Sequence, residues 1–312
     1  MNAPVIHPSI GADAAAGWPV PGSGRTRERW QALTDAARRD LVGARLLEAH
    51  ADAAAILEEL GGARVRPGQL WGVWAAEPPD PVVVARSTPD GVDLTGRKPW
   101  CSGAHSCTHA LVTARVGDER SLFAVDLSSP GVRPVPGTWH AVGMARSDSG
   151  AVDFDAVPAV PIGAPGEYLT RPGFWHGGIG VAACWFGGAL AVADALRDGA
   201  GDDPHRLAHL GAVEAALYAA ECVLDRAAED LDARPCDGAA AELRARRVRA
   251  VVESTASEVI DRVGRALGAA PLCTDARHAQ LVADLSVYVR QSHAERDLAD
   301  LARAAQAGRE RA

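Results

Sequence analysis

The side chains best suited to chemistry in this chain lie in short runs. Cys101, His105, Cys107 and His109 fall within nine residues and offer two thiols and two imidazoles. Structural zinc sites favour Cys-x2–4-Cys spacing, and alternating positions on one strand do not converge on one ion, so no metal is expected there. Near the far end, Gln291-Ser292-His293-Ala294-Glu295-Arg296-Asp297 places an imidazole close to a carboxylate. His293 or Glu295 could take up a proton near neutral pH, provided that geometry brings one of them to it. The plainer alternative is a solvated, salt-bridged helix face. Gly178-Ile179-Gly180-Val181-Ala182-Ala183 fits a loose G-x-G-x-x-A, but Phe174-Trp175-His176-Gly177 before it makes a poor strand. Close helix packing is the better reading there than a dinucleotide site. His176-Gly177-Gly178 has the look of a hydrolase oxyanion loop, yet no G-x-S-x-G elbow exists to supply a nucleophile.

The elements that must position these residues follow from periodicity. Residues 1–24 are rich in Pro, Gly and Ala without a period and read as a loose arm. Over 25–69, Leu41, Ala44, Leu47, Ala51, Ala55 and Leu57 recur at helical steps, and Gly61-Gly62 supplies a stop. From 70 to 165 the character is β. Runs at Trp71–Ala76, Val82–Arg86, Val92–Leu94, Ala110–Arg115 and Leu122–Asp126 are separated by Pro-Asp, Asp-Gly and Gly-Asp signals. That pattern predicts an antiparallel barrel or sandwich, since no helical crossover fits between the runs. Over 176–306 four long apolar-striped segments joined by short turns predict an antiparallel four-helix bundle.

Composition narrows the function. The chain has 312 residues, 47% of them hydrophobic, long enough for an ample core without disulfide or metal support. Its formal net charge of −8 argues against nucleic acid, which needs clustered positive charge. No apolar run approaches the ~20 residues of a membrane span, and the N-terminus lacks the basic-then-apolar pattern of a secretory signal. Six scattered cysteines suit reduced thiols in a cytoplasm. The wide Ala-rich helix faces favour a homo-oligomer.

The helix–β–helix layout and one stretch of residues carry a resemblance. Val92-Asp93-Leu94-Thr95-Gly96-Arg97-Lys98-Pro99-Trp100-Cys101-Ser102-Gly103-Ala104 resembles the G-x-K-x-W segment, followed by a small hydroxyl residue, of the acyl-CoA dehydrogenase superfamily. Trp74-Ala75-Ala76-Glu77-Pro78 looks like the family's Thr-Glu-Pro segment, and Val152–Pro158 like a closing strand; the match runs over about 40–300. The resemblance implies an α+β fold, mostly α, with short N-terminal helices, a central antiparallel β-barrel and a C-terminal four-helix bundle. It also implies FAD against the barrel. Trp100 would pack on the isoalloxazine, Cys101 and Ser102 would lie beside it with Ser102 near N5, and Trp74, Ala75 and Ala76 would meet the pyrimidine edge. Taken by itself, Trp100 reads more readily as a barrel core residue, and only the whole motif string favours the flavin.

The chain also departs from the family's pattern. Ala76 stands for the threonine, Pro79-Asp80-Pro81-Val82 replace glycines and serine, and Arg265 before Gly268-Ala269 stands where a glutamine belongs. Arg265 could still hold a phosphate. The family's glutamate base falls on Ser292 by count, leaving His293 or Glu295 as substitutes, and the N-terminal helical segment is short. The implied function is FAD-dependent oxidation of an acyl-CoA thioester, with an electron-transfer partner. Two alternatives remain: a flavin-dependent monooxygenase on the same scaffold, and a non-catalytic acyl-binding or partner subunit.

Overall fold

A computed structural model describes residues 15, 17–76, 79 and 82–310, with side chains to residue 307. The chain divides into two compact units. One comprises Leu46–His140 and Ala145–Phe174; the other comprises Trp18–Arg45, Ala141–Met144 and Trp175–Ala312.

The first unit is built on seven strands: β1 (Trp71–Trp74), β2 (Val83–Thr88), β3 (Gly91–Lys98), β4 (His109–Val116), β5 (Glu119–Asp126), β6 (Val132–Val135) and β7 (Ala151–Ile162). They run β4-β2-β3-β7-β5 and close through β4–β5, with β1 added to β4 and β6 to β7. This is a small closed barrel, with one correction to the antiparallel expectation. β1 and β2 both pair with β4 in parallel, Trp71 against His109 and Val84 against Arg115. No helical crossover is needed, because β3 is the return path: it lies antiparallel on β2 and brings the chain back before β4 starts.

β4 is buried on both faces from Ala110 to Ala114, which explains a run broken only by Thr113. Ala110, Val112 and Ala114 face a core with Trp74, Leu94, Phe123, Val125 and Phe154. Leu111 faces the other way, toward Ala53, Ile56 and Leu57 of the helix α2 (Leu41–Glu59), with Trp71, Leu122 and Tyr168. Gly96 sits where β3 slips register against β7, at φ +126°. A Cβ there would stand 3.0 Å from the Val83 Cα, so only glycine lets β2 close onto β3. Lys98 is buried inside the unit, its Nζ donating to the Thr113 carbonyl (2.8 Å) and hydroxyl (2.7 Å).

The second unit is helical: α1 (Thr26–Arg39), then, after α3 (Glu167–Thr170) of the first unit, α4 (Pro172–Gly199), α5 (Pro204–Ala233), α6 (Gly238–Leu267), α7 (Ala270–Thr274), α8 (Ala276–Tyr288) and α9 (Glu295–Glu310). Asp203 and Asp237 cap α5 and α6 by accepting backbone N–H groups, as the Asp-Pro and Asp-Gly signals suggest. The fourth long helix expected from the apolar pattern is instead α7, α8, a 3-10 turn over Val289–Gln291, and α9. Most of the stretch read as a loose arm lies outside the described residues. Its end is tied down: Gly24 N and Thr26 N donate to Asp232, and Arg29 donates to the Pro19 carbonyl.

α4 and α5 are each long and apolar enough to cross a membrane by length and composition, although neither is an unbroken apolar run. The most apolar window of α4 is 72% buried, as a core helix is, whereas that of α5 is only 22% buried. Burial of α4 depends on glycines. At Gly187 a Cβ would overlap the Thr34 carbonyl oxygen and stand 2.8 Å from the Ala37 Cβ, so α1 packs on bare backbone. Thr34 Oγ1 adds a bond to the Ala183 carbonyl (3.2 Å), and Arg38 clamps Asp194 with two. Gly187→Val should therefore destabilise by about 1–3 kcal/mol through overpacking, with Gly178→Ala, whose Cβ would make ordinary contact with Arg249 Cδ at 3.7 Å, as the near-neutral control. Thermal unfolding followed by circular dichroism checks this.

Candidate functional site

β3 ends at Lys98 and β7 begins at Ala151, directly paired through Lys98–Val152. The loops that leave this pair stay together. Cys101 N donates to the Gly150 carbonyl (2.8 Å), Gly103 N to Ser147 (2.8 Å) and Ala104 N to Asp148 (3.2 Å). The clamp holds two side-chain-bearing residues in the left-handed region, Trp100 at φ 55° and Asp148 at φ 46°. Each costs on the order of 1–2 kcal/mol, and such strain persists only where the surroundings enforce it.

The clamp leaves Trp100 57% exposed. This corrects the reading of Trp100 as a barrel core residue: that place belongs to Trp74, 2% exposed, whose Nε1 donates to the Ser102 carbonyl at 3.0 Å. Trp74 therefore supports the loop from beneath. Ala75 is half-buried and Ala76 exposed just past β1. Glu77, Pro78, Asp80 and Pro81 lie outside the described residues. Cys101 is fully buried, its Sγ against the Lys98 carbonyl, and burial pushes its thiol far above the ordinary range against the pull of Lys98. Cys101 is thus a packing residue rather than a reactive one.

Ser102 is buried, and its Oγ lies 2.8 Å from Ser149 Oγ, which lies 2.8 Å from Ser147 Oγ. Three buried hydroxyls in a row, each both donor and acceptor, can hold or pass a proton along their length. On the exposed side of the same loops, His105 gives its backbone N–H and turns its Nδ1 to Asp148 Oδ2, at 2.8 and 2.9 Å. The sequence reading missed Ser147, Asp148 and Ser149. Their one signal is Ser-x-Ser before Gly150, which gains meaning only when the loops cross.

The four residues of the Cys/His run are engaged apart. Cys107 Sγ lies 3.8 Å from the Ser102 carbonyl, and His109 stacks on Trp71 at 4.8 Å between ring centroids. Among the described residues no group of three or more His, Cys, Asp or Glu could hold a metal ion.

In the second unit the residues considered as a base lie on the surface. Ser292 is extended (φ −70°, ψ 140°), so the helical count from Asp284 does not run through to it. His293 is 59% exposed and 3.4 Å from Asp297, and Glu295 opens α9 exposed. Arg265 is likewise exposed, 3.5 Å from Asp261 one turn away. Asp284 is buried for a structural reason: it accepts from Met144 N at 2.5 Å and from Gln280 at 2.8 Å.

No protein-family model and no curated protein matches the chain. Solved structures do. TdsC, a dibenzothiophene monooxygenase of Paenibacillus sp. A11-2 solved with FMN and indole, is 19% identical over 88% of this chain and 81% of its own, at a TM-score of 0.76. MsuC, a methanesulfinate monooxygenase of Pseudomonas fluorescens, is 19% identical over 93% and 86%, at 0.77. KijD3, solved with FMN and a dTDP-linked amino-keto sugar, is 20% identical over 91% and 80%, also at 0.77. A mostly helical chain with a small closed barrel and a C-terminal helical region thus has the acyl-CoA dehydrogenase-like fold, shared with flavin-dependent monooxygenases.

Proposed function

We propose that the protein is a flavin-dependent oxidoreductase of the monooxygenase type, acting on a small molecule. The observation that carries this reading is Trp100, a large apolar ring held out to solvent by a strained, doubly clamped loop above a buried hydroxyl chain. An exposed flat indole with its loop fixed in advance suits a planar ring system, and nearby hydroxyls suit the charge such a ring carries when reduced. These residues fit a flavin. FMN is the form found with TdsC and KijD3, whereas the resemblance alone implied FAD. Loss of the Thr, Gly and Ser positions around Ala76 favours the smaller cofactor, because those groups served the flavin and its pyrophosphate.

A bound reduced flavin would supply electrons to dioxygen. In this reading Trp100 orients the ring and excludes water from one face, while Ser102 holds a hydrogen bond at its edge. Ser149 and Ser147 keep the Ser102 hydroxyl oriented and give its proton a path. Ala75, Ala76 and the Cys101 backbone would complete the wall. A reductase or other electron-transfer partner would provide the reduced flavin. The absence of disulfides among the described cysteines suits a cytoplasmic setting.

The dehydrogenase reading on an acyl-CoA thioester is less well supported. It needs a carboxylate or imidazole fixed within about 3 Å of a carbon-bound proton. His293 and Glu295 are exposed beside the extended Ser292 and lack the packing that fixes such a group.

Three outcomes test the proposal. Purified protein should bind FMN or FAD, oxidised or reduced, in a fluorescence or anaerobic titration. Trp100→Ala should weaken binding by about 10- to 100-fold, in line with 1–3 kcal/mol for an aromatic stack, without a change in circular dichroism. No binding of either flavin in either redox state ends this reading. Ser149→Ala should leave flavin affinity within about threefold yet alter the flavin's bound absorption spectrum, since it interrupts the hydroxyl chain while keeping Trp100 and Ser102. An unchanged spectrum removes the chain from the site.

A further inference from the structure

We propose that Gln69 and His109 form a pH-sensitive latch on β1, closed while the imidazole is neutral and opened by a proton on His109 Nε2, which frees the Arg66–Gln69 turn and the strand after it. The proposal stands apart from the flavin reading and draws only on the first unit.

The latch is a chain of hydrogen bonds whose directions follow one from another. Gln69 folds back over its own turn, and its Oε1 accepts both the Arg66 backbone N–H (2.8 Å) and the Trp71 indole N–H (3.1 Å). The other end of the amide therefore faces the ring, with Gln69 Nε2 3.0 Å from His109 Nε2. An amide nitrogen only donates, so this ring nitrogen must accept. On the ring's other side the Thr108 hydroxyl donates to the Leu70 carbonyl (3.1 Å) and accepts from Leu70 N (2.9 Å). Toward His109 Nδ1, at 2.9 Å, it can again only accept, so Nδ1 carries the proton. Both neighbours thus select one neutral tautomer. A proton on Nε2 would set N–H against N–H, and turning the amide over would only move that clash to Arg66 and Trp71.

The surroundings of the ring act in the same sense. Burial is the largest influence and makes His109 give up its proton more readily than an ordinary histidine; Asp126, opposite it on β5, pulls the other way, and Arg66 adds to burial. The stacked Trp71 face would also welcome a cation, but it comes with the indole N–H that Gln69 must accept. From α2, His50 Nδ1 accepts the Trp71 backbone N–H at 3.1 Å, a second hold on the same residue. What the latch secures is weakly held otherwise. Among the described residues β1 pairs with β4 alone, over Trp71 to Trp74, and its far end carries the indole that supports the Ser102 carbonyl. In an opened segment His109 would titrate near its ordinary value of about 6.5. The closed latch is therefore at full strength above that pH. It weakens as pH falls toward the lower value of the closed ring, by up to about tenfold in the opening equilibrium per pH unit.

Nuclear magnetic resonance of the full chain with its ten histidines labelled in 15N, and His109→Gln to assign the signal, should show the Nδ1–H tautomer and a midpoint below about 6.5. Hydrogen exchange over 66–74, corrected for intrinsic rates, should accelerate by up to about tenfold per unit between about pH 7 and pH 5. That acceleration should vanish in His109→Gln, whose side chain can still accept from Gln69 but does not titrate. Gln69→Glu should reverse the device. Its carboxylate still accepts from Arg66 and Trp71 but also accepts from a protonated ring, so the midpoint should rise above about 6.5 and acid should slow exchange over 66–74. A native midpoint at or above the ordinary value, or an Nε2–H tautomer, overturns the proposal. So does exchange over 66–74 with the same pH trend in the native chain, His109→Gln and Gln69→Glu.

Discussion

The pairing of β3 with β7 is the constraint on which the first unit turns. It fixes the register from Val92–Ala159 to Lys98–Val152, and the loops leaving its end cannot separate because Cys101 N continues the ladder to Gly150 O. Everything exposed at the candidate site hangs from that continuation. Trp100 is forced outward, Ser102 inward onto Ser149, and Asp148 outward onto His105. The left-handed conformations at Trp100 and Asp148 are affordable because backbone bonds on both sides of each hold the loops. A looser ladder would relax both residues and lose the protruding indole.

The barrel beneath is what makes that ladder rigid. β7 is long enough to serve three partners, taking β3 on one edge and β6 then β5 on the other. β4 likewise carries β1 and β2 in succession on one edge and β5 on the other. Two long strands shared among shorter ones close a sheet with few unpaired edges, which is how a small barrel avoids pairing with other chains. Trp74 then links closure to the site, since its indole is in the core while its N–H reaches the Ser102 carbonyl.

The helical unit works by a different economy of space. Small residues let α1 and α4 touch backbone to side chain at Gly187, and Gly188 receives Leu41 and Leu285 at about 3 Å.

Much of this was legible in the residues. Runs such as His109–Arg115 and the Asp-Gly and Gly-Asp turns marked β structure, and three- and four-residue apolar steps marked the long helices, because both signals are local. The Lys98–Ala104 run stood out by its resemblance, and it forms the loop that bonds to the Ser147–Gly150 backbone. Other features were not local and could not be read. Parallel pairing of β1 and β2 on β4 depends on β3 acting as the return path. The exposure of Trp100 depends on a clamp from residues some fifty positions away. The hydroxyl chain needs Ser147 and Ser149 to fold under Ser102. Helical counting failed at Ser292, where a 3-10 turn and an extended residue interrupt the period between α8 and α9. Sequence determined which segments are helix or strand, since those choices rest on neighbours along the chain. Tertiary structure alone decided which side chains meet and which face water, because burial and strain are set by partners distant in sequence.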